Sequence, residues 1–175
     1  MFVVVVVATP PTPPAPAVLA PNGDVVVVWW RDLAKDALVY RKHTFATGEW
    51  GVERVAGLAS ESNSHPQVVF AGNRSWVAYQ IQNSKNSCVG AQIIDDDVEP
   101  FRSIVATSTF PGDLDVKLVA EATHLWVTWI DNGWNVGYSE YSFERQRWSV
   151  PAYEPYGVDS TAAARQRIRS RLLVP

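Results

Sequence analysis

Polar side chains follow three similar aromatic segments of this chain, and their types and spacing could bind a small polar ligand. The segments are VVVWW (Val26–Trp30), WVAYQ (Trp76–Gln80) and WVTWI (Trp126–Ile130). The candidate ligand-binding residues that follow them are Arg31, Asp32, Gln82, Asn83, Asp131, Asn132, Trp134 and Asn135. An aromatic ring beside planar polar groups can stack on a sugar and hydrogen-bond its hydroxyls. The group around Trp134 therefore predicts a carbohydrate site, and an ordinary solvated loop is the alternative.

Other chemistry-bearing residues give weaker signals. The acidic run Asp95–Asp97 with Glu99 could hold calcium, but consecutive strand residues alternate sides, and a solvated turn is the better interpretation. The three histidines lie far apart without metal-ligand spacing. We therefore predict no metal and no cofactor. A catalytic pair of carboxylates, distant in sequence, stays open, because glycosidase acids need to meet only in space.

The composition of the chain excludes some classes of function. The 175 residues carry a net charge of −3 and a single cysteine, Cys88. The charge gives no basic surplus for nucleic acid, and the lone cysteine excludes an intrachain disulfide framework. The apolar run from Phe2 to Ala8 is far shorter than the roughly 20 residues that cross a bilayer, so no membrane span is expected.

An internal repeat supplies the scaffold for these residues. The aromatics Trp29, Tyr79 and Trp129 recur at intervals of fifty residues, and strand-like segments recur around them. Third strands are expected at Leu38–Lys42, Cys88–Gln92 and Asn135–Tyr141, and fourth strands near Trp50, Phe101 and Trp148. The pattern predicts an all-β chain of about three four-stranded antiparallel units.

Four short strands in a period of roughly 40 to 50 residues are typical of β-propeller blades. An open sandwich or solenoid is the alternative. We divide the chain into residues 1–15 (last strand of a preceding blade and a Pro-rich linker), 16–65, 66–114 and 115–158 (three blades), and 159–175 (a basic tail). The repeated aromatics Trp29, Tyr79, Trp129, Trp50, Phe101 and Trp148 are expected to pack between blades.

The repeat resembles those of bacterial sialidase-like β-propellers. The likeness is best seen in His65–Gln80 and Leu125–Pro151, covers about residues 16 to 155, and extends to propeller lectins. Such repeats often carry an Asp-box before the fourth strand. Here Thr44–Trp50 and Ser142–Trp148 keep the hydroxyl residue and the tryptophan, but Ala46 or Glu144 stands in the aspartate place. The family's Arg-Ile-Pro motif does not occur.

The resemblance implies a non-catalytic carbohydrate-binding or interaction propeller outside the cytoplasm, extracellular or periplasmic. A fragment of a sialidase-like glycoside hydrolase is the first alternative, and a structural or truncated propeller without a ligand is the second. Whether the protein is an enzyme stays open, and a protein without catalytic activity is the favoured interpretation. Because propellers close with about four to eight blades, three blades also predict either further blades or a second copy of the chain. The expected partners are therefore a glycan and a completing set of blades.

Overall fold

The computed structural model describes residues 15–31, 37–56, 62–82, 86–94, 102–108, 114–130 and 135–155. These residues form three antiparallel sheets and no helix, so the all-β prediction is confirmed. Among them there is no helix with the length and apolar character needed to span a membrane. The predictions for the N-terminal run, the acidic run at Asp95, Phe101 and the basic tail lie outside the described residues.

Each sheet is built from strands that are close together in the chain. The first sheet contains β1 (Ala17–Leu19), β2 (Val25–Arg31), β3 (Ala37–Thr44), β4 (Glu49–Trp50) and β5 (Arg54–Ala56). The middle sheet contains β6 (Ser62–Ala71), β7 (Arg74–Gln82), β8 (Ser87–Ile93) and β9 (Arg102–Ser108). The third sheet contains β10 (Lys117–Ala120), β11 (His124–Ile130), β12 (Asn135–Ser142), β13 (Arg147–Trp148) and β14 (Ala152–Pro155).

The strand order within each sheet follows the chain, and no sheet closes on itself. In the first and third sheets the fourth strand is split in two. Both pieces, β4 and β5 or β13 and β14, pair with the third strand of their sheet. Pro151 stands in the interruption of the third sheet, where its missing N–H suits an unpaired position.

The three sheets stack face to face, with the middle sheet between the other two. Val77, Tyr79 and Ile81 of β7 pack against the first sheet, and Trp76 and Ala78 pack against the third. This alternation follows from the two-residue period of a strand. Strand β7 is buried almost throughout because both of its faces are covered. Strand β2 alternates between buried and partly exposed residues, because among the described sheets only the middle one packs against it, on the face of Val26 and Val28.

The turn between β1 and β2 is held by Asp24, which is 5% exposed. One carboxylate oxygen accepts a hydrogen bond from the Phe45 backbone N–H at 2.9 Å. The other lies 3.0 Å from the Asn22 amide nitrogen and 3.1 Å from Lys42 Nζ. The Phe45 N–H is the main cause that lowers the pKa of Asp24 below its usual value, against the opposing effect of burial. This carboxylate joins the first hairpin of the sheet to the next turn.

Candidate functional site

In every sheet, the end of the second strand pairs with the start of the third strand. Gln82, at the end of β7, pairs with Ser62 at the start of β6 and with Ser87 at the start of β8. Arg31 pairs with Ala37 in the first sheet, and Ile130 pairs with Val136 in the third. The chain also enters the middle sheet at this end, which we call the loop end. The last described residues of the second strands, Arg31, Gln82 and Ile130, therefore lie at the loop end of their sheets.

Three of the eight candidate ligand-binding residues lie in the described part of the chain. Arg31 forms an exposed ion pair with Glu53 of its own sheet. Gln82 is partly buried at the last rung of β7, and Asn135 pairs in register with Pro155. Asp32, Asn83, Asp131, Asn132 and Trp134 lie outside the described residues. The described three sit one in each sheet at the loop end.

A buried glutamine fixes the backbone near this end. Gln80 is fully buried, and its side-chain oxygen accepts a hydrogen bond from the Leu114 N–H at 3.2 Å. The same oxygen lies 3.2 Å from His65 Nδ1 and 3.3 Å from Ser64 Oγ. His65 has a φ of 51° at an irregularity in β6, and its side chain is exposed. Gln80 thus ties the segment that leads into the third sheet to β6 and places His65 at the loop end.

Two of the repeated aromatics lie in the cores between the sheets. Tyr79 and Trp129 are each 1% exposed, and each lies over a glycine of the neighbouring strand. A Cβ on Gly90 would come within 2.8 Å of Tyr79, and one on Gly137 within 2.1 Å of Trp129. The glycines therefore provide the space that the rings occupy. This explains why the Val-Gly pair in β8 and in β12 lies opposite an aromatic residue of the neighbouring strand.

Trp29, the first of these three aromatics, has a different environment. Val26 and Val28 belong to the core shared with the middle sheet, so Trp29 between them is on the opposite face of β2. Its cross-strand partner is Val39 where the other sheets have glycine. Trp29 is partly exposed. Tyr79 and Trp129 contact the preceding sheet through this face of their strands. For Trp29, no preceding sheet covers that face among the described residues.

Trp76 joins the middle sheet to the third through a cluster of aromatic rings. Its ring lies 4.7 Å from that of Tyr141, 6.3 Å from Phe143 and 6.5 Å from Trp148, the last in an edge-to-face arrangement. Its Nε1 donates a hydrogen bond to the Ala71 carbonyl at 3.2 Å. Burial of Tyr141 raises the pKa of its phenol. We call Tyr141, Phe143 and Trp148 the third-sheet socket, because together they surround a tryptophan from the neighbouring sheet.

The first sheet has the same arrangement of rings at the same register. His43 and Trp50 pair across β3 and β4 as Tyr141 and Trp148 pair across β12 and β13. The ring centroids are 5.2 Å apart in the first pair and 5.3 Å apart in the second. Phe45 stands at the position of Phe143, two residues after His43. We call His43, Phe45 and Trp50 the first-sheet socket.

The two sockets differ in what covers them. Phe143 packs across the sheet boundary on Gly72 of the middle sheet, whereas Phe45 packs on Gly23 of its own sheet. Phe45 is 61% exposed and Trp50 is 48% exposed, and the Arg41 guanidinium lies 5.9 Å from the Trp50 ring centroid. Two of the three rings of the first-sheet socket are thus largely exposed, whereas the third-sheet socket encloses Trp76.

Sequence reasoning found Trp50 and Trp148 but not Phe45, Phe143 or Trp76. The signal was present in the two degenerate Asp-box segments, in which a phenylalanine precedes the tryptophan by five residues. A four-residue turn that begins with this phenylalanine closes both hairpins. Among the described residues, no three side chains of metal-ligating type converge on one point. A scan of the chain against protein-family models and a search of curated proteins find no match.

Proposed function

We propose that this chain is a non-catalytic binding module whose three sheets are blades of a sialidase-like β-propeller. The stacking of the sheets supports this architecture. The first strand of the middle sheet, β6, contacts both β1 and β10, the first strands of its neighbours. Inner strands that adjoin one another around an axis are what a propeller requires, whereas the two sheets of a sandwich pack only face to face.

The ligand site that we propose lies at the loop end, and the ligand is a glycan. The observation that carries the proposal is the placement of Arg31 and Gln82 at the last rungs between the second and third strands of their sheets, and of Asn135 one residue before the equivalent rung, Ile130–Val136, of the third sheet. Trp134, between Ile130 and Asn135, supplies a stacking ring, and its polar neighbours supply hydrogen bonds to sugar hydroxyls.

A glycan array with the purified chain tests this proposal. We expect binding to a defined set of glycans and at least roughly tenfold weaker binding by Trp134→Ala, since a stacked aromatic is a strong contributor to affinity. Arg31→Ala is the second variant, and its matched control is Arg145→Ala, because Arg145 is an exposed arginine in the turn at the opposite end of the third sheet. The control should bind as the unchanged protein does.

Two results would contradict the proposal. The first is the absence of binding to any glycan by a chain whose folding is verified by circular dichroism. The second is the release of a fluorophore from a fluorogenic sialoside, which would favour a glycoside hydrolase over a binding module. In that case Asp131→Asn should abolish release if this carboxylate takes part in the reaction.

A further inference from the structure

We propose that His65 contacts the ligand at the loop end, where its ring nitrogen Nε2 accepts a hydrogen bond from a sugar hydroxyl. This role rests on the proposed function, because it adds a residue of a first strand to the glycan site. The backbone at His65, the hydrogen bonds of its Nδ1 and the exposure of the residue support it.

A bulge in β6 sets the direction of the His65 side chain. His65 and Pro66 together lie opposite the single residue Tyr79 of β7. His65 has a φ of 51°, in the left-handed region that a residue with a Cβ rarely adopts. It is exposed, whereas Ser64 and Pro66 on either side are partly buried. Bulges redirect a side chain and are frequent beside functional sites, and so are residues held in rare backbone conformations.

The hydrogen bonds of Gln80 determine which nitrogen of the His65 ring carries the hydrogen. Gln80 Oε1 accepts the Leu114 N–H at 3.2 Å, and Gln80 Nε2 donates to Ser87 Oγ at 3.4 Å, so the orientation of the amide is fixed. His65 Nδ1 lies 3.2 Å from the same Oε1 and 3.1 Å from Ser64 Oγ. Because Oε1 can only accept, Nδ1 donates. In the neutral ring Nε2 then has a lone pair and can only accept.

Nε2 is the nitrogen of this ring that remains for a ligand. It has no hydrogen-bond or ion-pair partner among the described residues. Asp115 occupies the same position of the repeat in the third sheet, fifty residues later, and is also exposed. Its carboxylate lies 2.7 Å from Lys117 Nζ. A cation of the chain thus contacts the acceptor of Asp115, whereas the acceptor of His65 is left for a ligand.

The position of β6 and the chemistry of Nε2 both suit a sugar at the loop end. Ser62, three residues before His65, pairs with Gln82, and β6 contacts the first strands of both neighbouring sheets. A ligand that lies across the loop ends of neighbouring sheets would therefore pass this strand. A lone-pair nitrogen binds a hydrogen-bond donor such as a hydroxyl, and not a carboxylate or phosphate oxygen without a hydrogen. The contact is therefore with a hydroxyl of the glycan.

Nitrogen-15 NMR of the protein labelled in its histidines tests the state of the ring. The His65 signals are assigned with single substitutions of the three histidines. We expect the hydrogen on Nδ1 and none on Nε2 in mildly alkaline buffer, in which histidine side chains are neutral. The Nε2 resonance should shift when the glycan that binds most tightly in the array is added in excess. A hydrogen on Nε2, or an Nε2 resonance that does not respond to the bound glycan, would overturn the inference.

His65→Asn separates contact with the ligand from a structural role. Asparagine tolerates a left-handed backbone and its amide can still donate to Gln80 Oε1, so the melting temperature should not change. It lacks Nε2, and we expect roughly fivefold to tenfold weaker glycan binding from the loss of one hydrogen bond. His124→Asn is the matched control, because His124 is partly exposed at the opposite end of the third sheet.

The outcomes distinguish this residue from the site as a whole. Unchanged glycan binding by a folded His65→Asn protein would overturn the inference and leave the proposed function standing. The absence of binding to any glycan by the unchanged protein would overturn both. Weaker binding by His65→Asn at an equal melting temperature, with His124→Asn binding as the unchanged protein does, supports the inference. If His65→Asn does not fold, the response of the Nε2 resonance to the glycan decides.

Discussion

The first and third sheets carry the same aromatic hairpin, but among the described sheets only the third has a neighbour on the face that bears it. Tyr141 is 6% exposed beneath Trp76, whereas Trp50, the counterpart of Trp148, is 48% exposed. The pairs His43–Trp50 and Tyr141–Trp148 nevertheless have almost the same centroid separation. The geometry of the hairpin is therefore set locally by the turn and the strand register, and the burial of its rings is set by the adjacent sheet.

The same difference appears in the glycines. Gly137 lies beneath Trp129 in the third sheet, and its counterpart in the first sheet is Val39 beneath Trp29. In the third sheet the ring is held against its own backbone by the middle sheet, which leaves no space for a side chain. Glycine thus stands opposite the two buried rings, and valine stands opposite the partly exposed Trp29.

Among the substitutions that test this comparison, that of Trp76 is expected to change the free energy of unfolding most. Trp76→Ala should lower the free energy of unfolding by about 4 kcal/mol, because it empties a socket lined by three rings. Trp50→Ala removes an exposed ring of the same type and should cost less than about 1 kcal/mol. Urea unfolding at a fixed protein concentration, followed by circular dichroism, measures both. Equal losses would contradict the claim that only the third-sheet socket is filled.

Gly137→Ala should have an intermediate effect. The added Cβ would meet atoms of the buried Trp129 ring at 2.1 to 2.4 Å, so the ring or the strand must move, at a cost of about 2 kcal/mol. Gly51→Ala is a suitable control, because its Cβ would meet only the Lys42 carbonyl oxygen, at 3.4 Å. Thermal unfolding of the two variants checks the difference, and a Gly137→Ala protein as stable as the control would refute the close packing of Trp129.

Gln146→Gly should produce the smallest change and should stabilise the protein. Gln146 ends the turn of the third sheet with a φ of 51°, and Gly48 ends the equivalent turn of the first sheet with a φ of 71°. Both N–H groups bond to the carbonyl at the start of the turn, at 2.8 and 2.9 Å. Because a left-handed conformation costs a residue with a Cβ about 1 kcal/mol, glycine should raise the stability by up to that amount. A lower melting temperature would indicate that the Gln146 side chain contributes a compensating contact.

Much of the fold could be predicted from the sequence because its signals are local. Apolar runs with turn residues between them predicted four strands in every unit, and the fifty-residue spacing aligned Trp29, Tyr79 and Trp129. The split of the fourth strand was missed, because two-residue strands such as Glu49–Trp50 carry no periodicity. The likeness to sialidase-like propellers, the glycan ligand and the residues at the loop end stay predictions.

The candidate surfaces were harder to predict, and particular residues show why. Phe45 and Phe143 have the same sequence context, so no property of the segment tells that one is exposed and the other packed on Gly72. Trp76 and Trp126 likewise occupy one position of the repeat, yet only Trp76 has its indole N–H bonded among the described residues. A repeat makes equivalent residues look alike in sequence whatever lies beside them.

The sequence by itself determined which residues share a strand face, because side chains alternate with a period of two and turns fix the register. It therefore determined that Trp29, Tyr79 and Trp129 point in one direction and Trp76 and Trp126 in the other. Only the tertiary structure decided which of these rings are covered. Burial is a relation between sheets distant in the chain, and among the three described sheets the middle one has a neighbour on each side.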